Sequence, residues 1–257
     1  MTTIILLLSR KFLIKELAEY LEQNDCDRTQ TNLLVMVDGE GKLYNLAQKY
    51  FGKQNYNIVK IHWVKDHHEV NRSRVYRRRR IAELHNYAKE QLPECEFVLL
   101  IEDDGIPPKD GFKTLLKRFK EKSDVGFIEG LQLGRWQSRY IGAWKVDNPF
   151  HLTEIKSIEY KPNKLIEIDA GGFYFMLTKT EYYLWHKHFT NANYGPDIVY
   201  GLQLRKRNLK NYIDTSVEIP HYTENGEVFS IKYDTPRVIC LRKERGAWRF
   251  IHSVQKA

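Results

Sequence analysis

The chain has few thiols, no long apolar run and fewer acidic than basic residues. Its three cysteines, Cys26, Cys95 and Cys240, are odd in number and far apart. That excludes a disulfide framework and any paired-cysteine metal or redox motif, and reduced thiols in a cytoplasmic-type compartment are expected. No stretch approaches the ~20 apolar residues that a membrane-crossing helix needs, so stable membrane insertion is not expected. The first apolar run, Ile4 to Leu8, is too short for a signal-peptide core, and Arg10 and Lys11 follow it rather than precede it. The expected location is therefore cytoplasmic, or the host cytoplasm for a phage-encoded chain. Neither an internal repeat nor a low-complexity segment is visible. With 33 Asp and Glu against 41 Lys and Arg, the formal charge is +8, which favours anionic partners.

What is present is a chain of 257 residues that is 42% hydrophobic and 13% aromatic, ample for a packed core. Ile4 to Leu8, Leu33 to Val37 and Ile58 to Val64 read as buried strands. Phe12 to Glu22 and Leu43 to Phe51 carry apolar residues at helical spacing between them. Strands alternating with helices of this length imply parallel βαβ units, so the fold class is α/β: a Rossmann-like, mostly parallel sheet with helices on both faces. A small antiparallel extension is expected from the polar section at 155 to 168. The domain reading is one body over 1–223, with halves 1–104 and 105–223, and a basic, poorly patterned tail or flap over 224–257.

The most informative stretch is Phe97-Val98-Leu99-Leu100-Ile101-Glu102-Asp103-Asp104, bounded by Pro93 before it and Gly105 and Pro107-Pro108 after it. It reads as a strand buried on both faces that ends in three carboxylates. The carboxyl ends of the strands are where open α/β sheets bind ligands, and Leu8-Ser9 and Asp38 fall on the same edge. Three adjacent like charges suggest a hard divalent cation held by oxygen ligands. Just upstream, Arg74, Arg77, Arg78, Arg79 and Arg80 open a helix that runs to about Leu92. Extending its apolar stripe of Ile81, Leu84, Ala88 and Leu92 backward lands on Arg78, Arg77 and Arg74. These three are expected to face the sheet edge and an anion there, with Arg79 and Arg80 splayed outward.

Later in the chain, Phe112 to Phe119 reads as a helix, while Val125 to Leu133 and Tyr140 to Val146 read as strands. Gly171-Gly172 interrupts an apolar run, which marks a turn or a place where a ligand meets bare backbone. Glu181 to Phe189 reads as an aromatic-rich helix. Pro196 suits the first position of the next helix, which puts Asp197 in its first turn. A strand from Val217 then closes on His221.

In this order the residues resemble the GT-A class of nucleotide-sugar glycosyltransferases, family 2 above all, over about residues 4 to 223. The resemblance implies that Glu102-Asp103-Asp104 is the acidic DxD-type metal motif. Glu102, Asp104 and His221 would then ligate Mn²⁺ or Mg²⁺, with Asp104 the foremost ligand. It implies a nucleoside-diphosphate sugar as donor, a UDP-sugar first. The donor-side residues would be Ser9, Asp38, Arg74, Arg77, Arg78, Asp103, Gly171 and Gly172. Asp197 matches the general base of inverting members, although the usual Glu-Asp pair reads Pro196-Asp197 here. The acceptor is open; the basic surface suits a polyanion such as DNA carrying a hydroxylated base. Two other readings use the same residues. One is a metal-dependent nuclease or nucleotidyl enzyme. The other is a non-catalytic module binding nucleic acid through Arg77 to Arg80 and the aromatics.

Overall fold

The aliphatic runs become the innermost strands of one eight-stranded sheet. The computed structural model describes the chain apart from residues 65–73, 134–139, 148–154, 160, 186, 188–193, 225–226, 232–237, 245–246 and 255–257. The side chains of 74, 140, 155–159, 227 and 231–257 lie outside the description as well.

Four strands, β1 (Thr2–Leu8), β2 (Thr31–Asp38), β3 (Ile58–Val64) and β4 (Phe97–Glu102), run parallel in the order β3-β2-β1-β4. Every residue of β1 is buried, as is all of β2 and β4 except the last residue of each. This is why their sequences read as unbroken apolar runs rather than alternating ones. On one face lie α1 (Ile14–Gln23), α2 (Gly41–Phe51) and α4 (Gly111–Lys120), which bury Leu17, Leu21, Phe51, Leu115 and Phe119 against the sheet. On the other face, α3 (Arg74–Glu90) buries Leu84 and Ala88.

The second half completes the same sheet rather than making one of its own. Its strands are β5 (Val125–Gln132), β8 (Leu165–Ile168), β9 (Phe175–Lys179) and β10 (Lys210–Ile219). They extend it in the order β4-β9-β5-β10-β8, with β9 antiparallel to both neighbours and β10 parallel to β5. The antiparallel extension is the pair β6 (Tyr140–Val146) and β7 (Ile155–Glu159). Helix α5 (Thr180–Trp185) is shorter than the expected 181 to 189, and the rest of that expectation falls largely outside the described residues. Helix α6 (Pro196–Lys206) starts on Pro196 as expected.

The stretch read as a basic tail or flap, 224–257, carries strands. β12 (Glu227–Ile231), β13 (Val238–Glu244) and β14 (Ala247–Val254) follow β11 (His221–Tyr222) in an antiparallel four-stranded sheet. This sheet is stitched to the end of β4. Gly105 bridges His221, and the Tyr222 amide donates to the Asp104 carbonyl at 2.7 Å. The Ile219 side chain occupies the space a Cβ on Gly105 would need, so only glycine allows this close approach.

Candidate active site

Three carboxyls leave the end of β4 and meet three different fates. Asp103 is buried, and its oxygens are taken up by the loop after β1. The amides of Ser9 and Arg10 each donate to Oδ2 at 2.6 Å, and Arg10 Nε donates to Oδ1 at 2.7 Å, joined by Nη2. Ser9 Oγ adds a fifth donor at 3.2 Å. Ser9 and Asp103, expected to face a donor, thus bind one another and set the shape of that loop.

Asp104 is buried beside His221, whose Nε2 lies 3.2 Å from Asp104 Oδ2. The Nδ1 of the same ring sits 2.9 Å from the Leu133 carbonyl. A carbonyl only accepts, so Nδ1 carries the proton and Nε2 is the nitrogen turned to the carboxylate. That nitrogen then either bears a second proton or points its lone pair at an anion, an arrangement a shared cation satisfies. A ring N–H held by a carbonyl is also how metal-bound histidines are oriented. Two neighbouring ligands on an octahedral ion at ~2.1 Å stand ~3 Å apart, so the pair fits Mg²⁺ or Mn²⁺. The expected third ligand does not join them: among the described residues no group of three His, Cys, Asp or Glu is arranged to hold an ion. Glu102 projects to the opposite face of β4 from Ile101, and Arg10 Nη1 reaches Asp104 Oδ2 instead, at 3.1 Å. Burial, with the charges of Asp104 and Asp197 added, pushes the Glu102 carboxyl up to about 8.

Asp197, at the start of α6, is near enough for its charge to act on Glu102. Its carboxyl folds back over Gly195 at the start of α6, so closely that a side chain at 195 would collide with it. Burial raises its proton affinity above the usual aspartate range. The amides of Ile198 and of Asp197 itself, and the charge of Arg78, pull it partly back.

A fifth carboxyl, Glu129 on β5, escaped the sequence reading. It is fully buried, and burial, reinforced by Asp197, holds its proton affinity far above the ordinary range. Gly171 and Gly172 owe their identity to this neighbourhood. A Cβ at 171 would fall on the Glu129 carboxyl, and one at 172 on the Tyr174 ring. The pair therefore lets the backbone lie on buried side chains, where a ligand over bare backbone was expected. Tyr174 closes the group by donating its hydroxyl to the Gly142 carbonyl at 2.6 Å. The signal in the sequence was an acid in the middle of the run from Val125 to Leu133, which must pay for desolvation somewhere.

The arginines are arranged differently from the expectation. Arg80, expected to point outward, forms an ion pair with Asp38 at 2.8 Å and donates to the Val64 carbonyl at 2.8 Å. Arg80 is thus level with the ends of β2 and β3, so the turns of α3 before it overhang the sheet edge. The apolar stripe has no sheet beneath it there, and Arg77, expected to face inward, is exposed. Arg78 is half-buried and packs beside Gly195 and Asp197, while the Arg74 side chain lies outside the described residues.

No family model matches the chain, and no curated protein matches its sequence. Solved structures do. The crystal structure of A197 from STIV aligns with 98% of this chain and 99% of its own, at 13% identity and a TM-score of 0.53. The mannosyltransferase PcManGT from Pyrobaculum calidifontis, in complex with GDP-Man and Mn²⁺, aligns with 88% of this chain at 13% identity and a TM-score of 0.60. GalNAc-T7 with UDP, GalNAc and Mn²⁺ aligns with 86% at 7% identity and a TM-score of 0.61. The fold is that of the GT-A glycosyltransferases. The chain spans 58% of PcManGT and 42% of GalNAc-T7. Within this GT-A sheet, the end of β4, His221 and the start of α6 stand around the carboxyl edge. No described helix is long and apolar enough to cross a membrane.

Proposed function

We propose that the chain is a metal-dependent glycosyltransferase that moves a sugar from a nucleoside-diphosphate sugar, a UDP-sugar first, to an acceptor hydroxyl with inversion. The observation that supports this reading is the pair at the end of β4, where His221 Nε2 lies 3.2 Å from Asp104 Oδ2, with Asp197 near enough for its charge to act on Glu102. PcManGT and GalNAc-T7, each solved with Mn²⁺ and a nucleotide or nucleotide sugar, support the same donor class here.

Mn²⁺ or Mg²⁺ would be held by Asp104 and His221, with Glu102 beside them, and would supply positive charge against the leaving diphosphate. Asp197 takes the proton from the acceptor hydroxyl as that oxygen attacks the sugar. Its raised proton affinity makes it a better base than an exposed aspartate. The charge of Arg78 favours the ionised form of that carboxyl. Asp38, held by Arg80 at the end of β2, would stand on the nucleoside side of the site. The positive surface favours a polyanionic acceptor, such as DNA with a hydroxylated base.

A thermal-shift panel tests the reading. UDP or GDP with Mn²⁺ should raise the melting temperature, as ligand at 100 times its Kd stabilises by about 2.7 kcal/mol. Asp104→Asn should abolish the metal-dependent part. A chain stabilised by single-stranded DNA alone, and by no nucleoside diphosphate with Mn²⁺, would be a nucleic-acid-binding module instead.

A further inference from the structure

The reaction proposed above leaves one cation of the site without a task. Arg10 holds Asp103 through Nε and Nη2 and reaches Asp104 Oδ2 through Nη1 at 3.1 Å. His221 Nε2 approaches that same oxygen at 3.2 Å. The Arg10 side chain is 23% exposed, so it is sealed neither by the loop nor by the sheet. Two groups thus converge on one oxygen of the carboxylate proposed to ligate the ion. An ion on Asp104 Oδ2 sits at ~2.1 Å. A guanidinium nitrogen on that oxygen would crowd the ion and oppose its charge. Arg10 and a divalent cation are therefore competitors for Asp104.

The competition has a resolution in the shape of the side chain. A guanidinium has five N–H donors in a planar fork, and the fork matches phosphate as well as carboxylate. Nε and Nη2 can remain on Asp103 while Nη1 changes partner. We propose that Arg10 is a donor-binding residue that serves as the site's own cation: it neutralises Asp104 when no donor is bound and passes its Nη1 edge to a phosphate oxygen when ion and nucleotide enter together. The inference rests on the metal-dependent reading. It yields a property that reading alone does not contain. The ion by itself binds poorly, because it strands Arg10, whereas the diphosphate gives the guanidinium a new partner. Ion and nucleotide therefore strengthen each other through this one side chain, and reciprocally.

The test is a titration of the full chain with Mn²⁺, read as loss of the free-ion electron paramagnetic resonance signal. It is run with and without UDP, and again with GDP, on the wild type, Arg10→Gln and Arg10→Lys. In the wild type the nucleotide should tighten Mn²⁺ binding by roughly tenfold, within the usual range of such couplings. In Arg10→Gln, Mn²⁺ alone should bind several-fold tighter than in the wild type, and the nucleotide should add little. Arg10→Lys keeps the charge but loses the fork, so its nucleotide enhancement should also fall. Unchanged or weaker binding of Mn²⁺ alone in Arg10→Gln, with the enhancement intact, overturns the proposal. If that variant fails to fold, full wild-type enhancement in Arg10→Lys does the same. A wild type that binds Mn²⁺ neither alone nor with either nucleotide overturns the metal-dependent reading itself, which is a distinct result.

Discussion

At Asp197 burial and charge act against each other. Burial raises the carboxyl, and the Ile198 amide and the nearby Arg78 lower it. A general base must be ionised to work, so turnover should rise with pH along a limb that lies above the ordinary aspartate range. Asp197→Asn should keep UDP and Mn²⁺ binding and lose kcat by ~10²–10⁴-fold. Arg78→Met removes the charge that favours the ionised form, so the limb should move to higher pH. A pH–kcat profile checks both substitutions: full activity in the first removes Asp197 from the base role, and an unmoved limb in the second removes Arg78 from its surroundings. Asp197 was readable as a candidate because Pro196 announces a helix start. Arg10 and Glu129 were not. Arg10 lies in a short loop whose shape is decided by Asp103, far along the chain. Glu129 sits alone in an apolar strand, and its neighbours come from β9, α6 and the glycine pair.

Among the elements, the Gly171-Gly172 approach to β5 is the tightest seam in the site. Gly171→Ala would drive a methyl group into the Glu129 carboxyl, an overpacking that typically costs ~1–3 kcal/mol. In a Glu129→Ala background that collision is gone, so the same alanine should cost much less. Urea unfolding of the two single variants and the double variant measures the difference, and strictly additive losses would mean the two positions do not press on each other. The parallel strands β1, β2 and β4 were legible because burial on both faces leaves an uninterrupted apolar run. Helix α3 was legible as a helix, but the direction of its arginines was not. Sequence periodicity locates the buried stripe, yet only the structure shows that the sheet ends level with Arg80. The strands β12 to β14 were not legible, since a small antiparallel sheet need not carry a clean apolar pattern.

For the whole molecule the governing quantity is its charge of +8. If the acceptor is DNA, neutralising its phosphates releases counterions, and acceptor turnover should fall steeply between 50 and 200 mM salt, with a log–log slope of several units. Donor hydrolysis without acceptor, measured in parallel, should change far less. A flat response of acceptor turnover would point to an uncharged acceptor. The stitch between Asp104, Gly105, His221 and Tyr222 reaches further than local packing. The imidazole facing Asp104 is the first residue of the four-stranded sheet, so a polypeptide cut after Ile219 would retain all eight strands of the large sheet yet arrive without the histidine of the proposed ion site. Anything that tugs on the last forty residues tugs on that ring, which makes the C-terminal region a handle on the chemistry rather than an appendage to it.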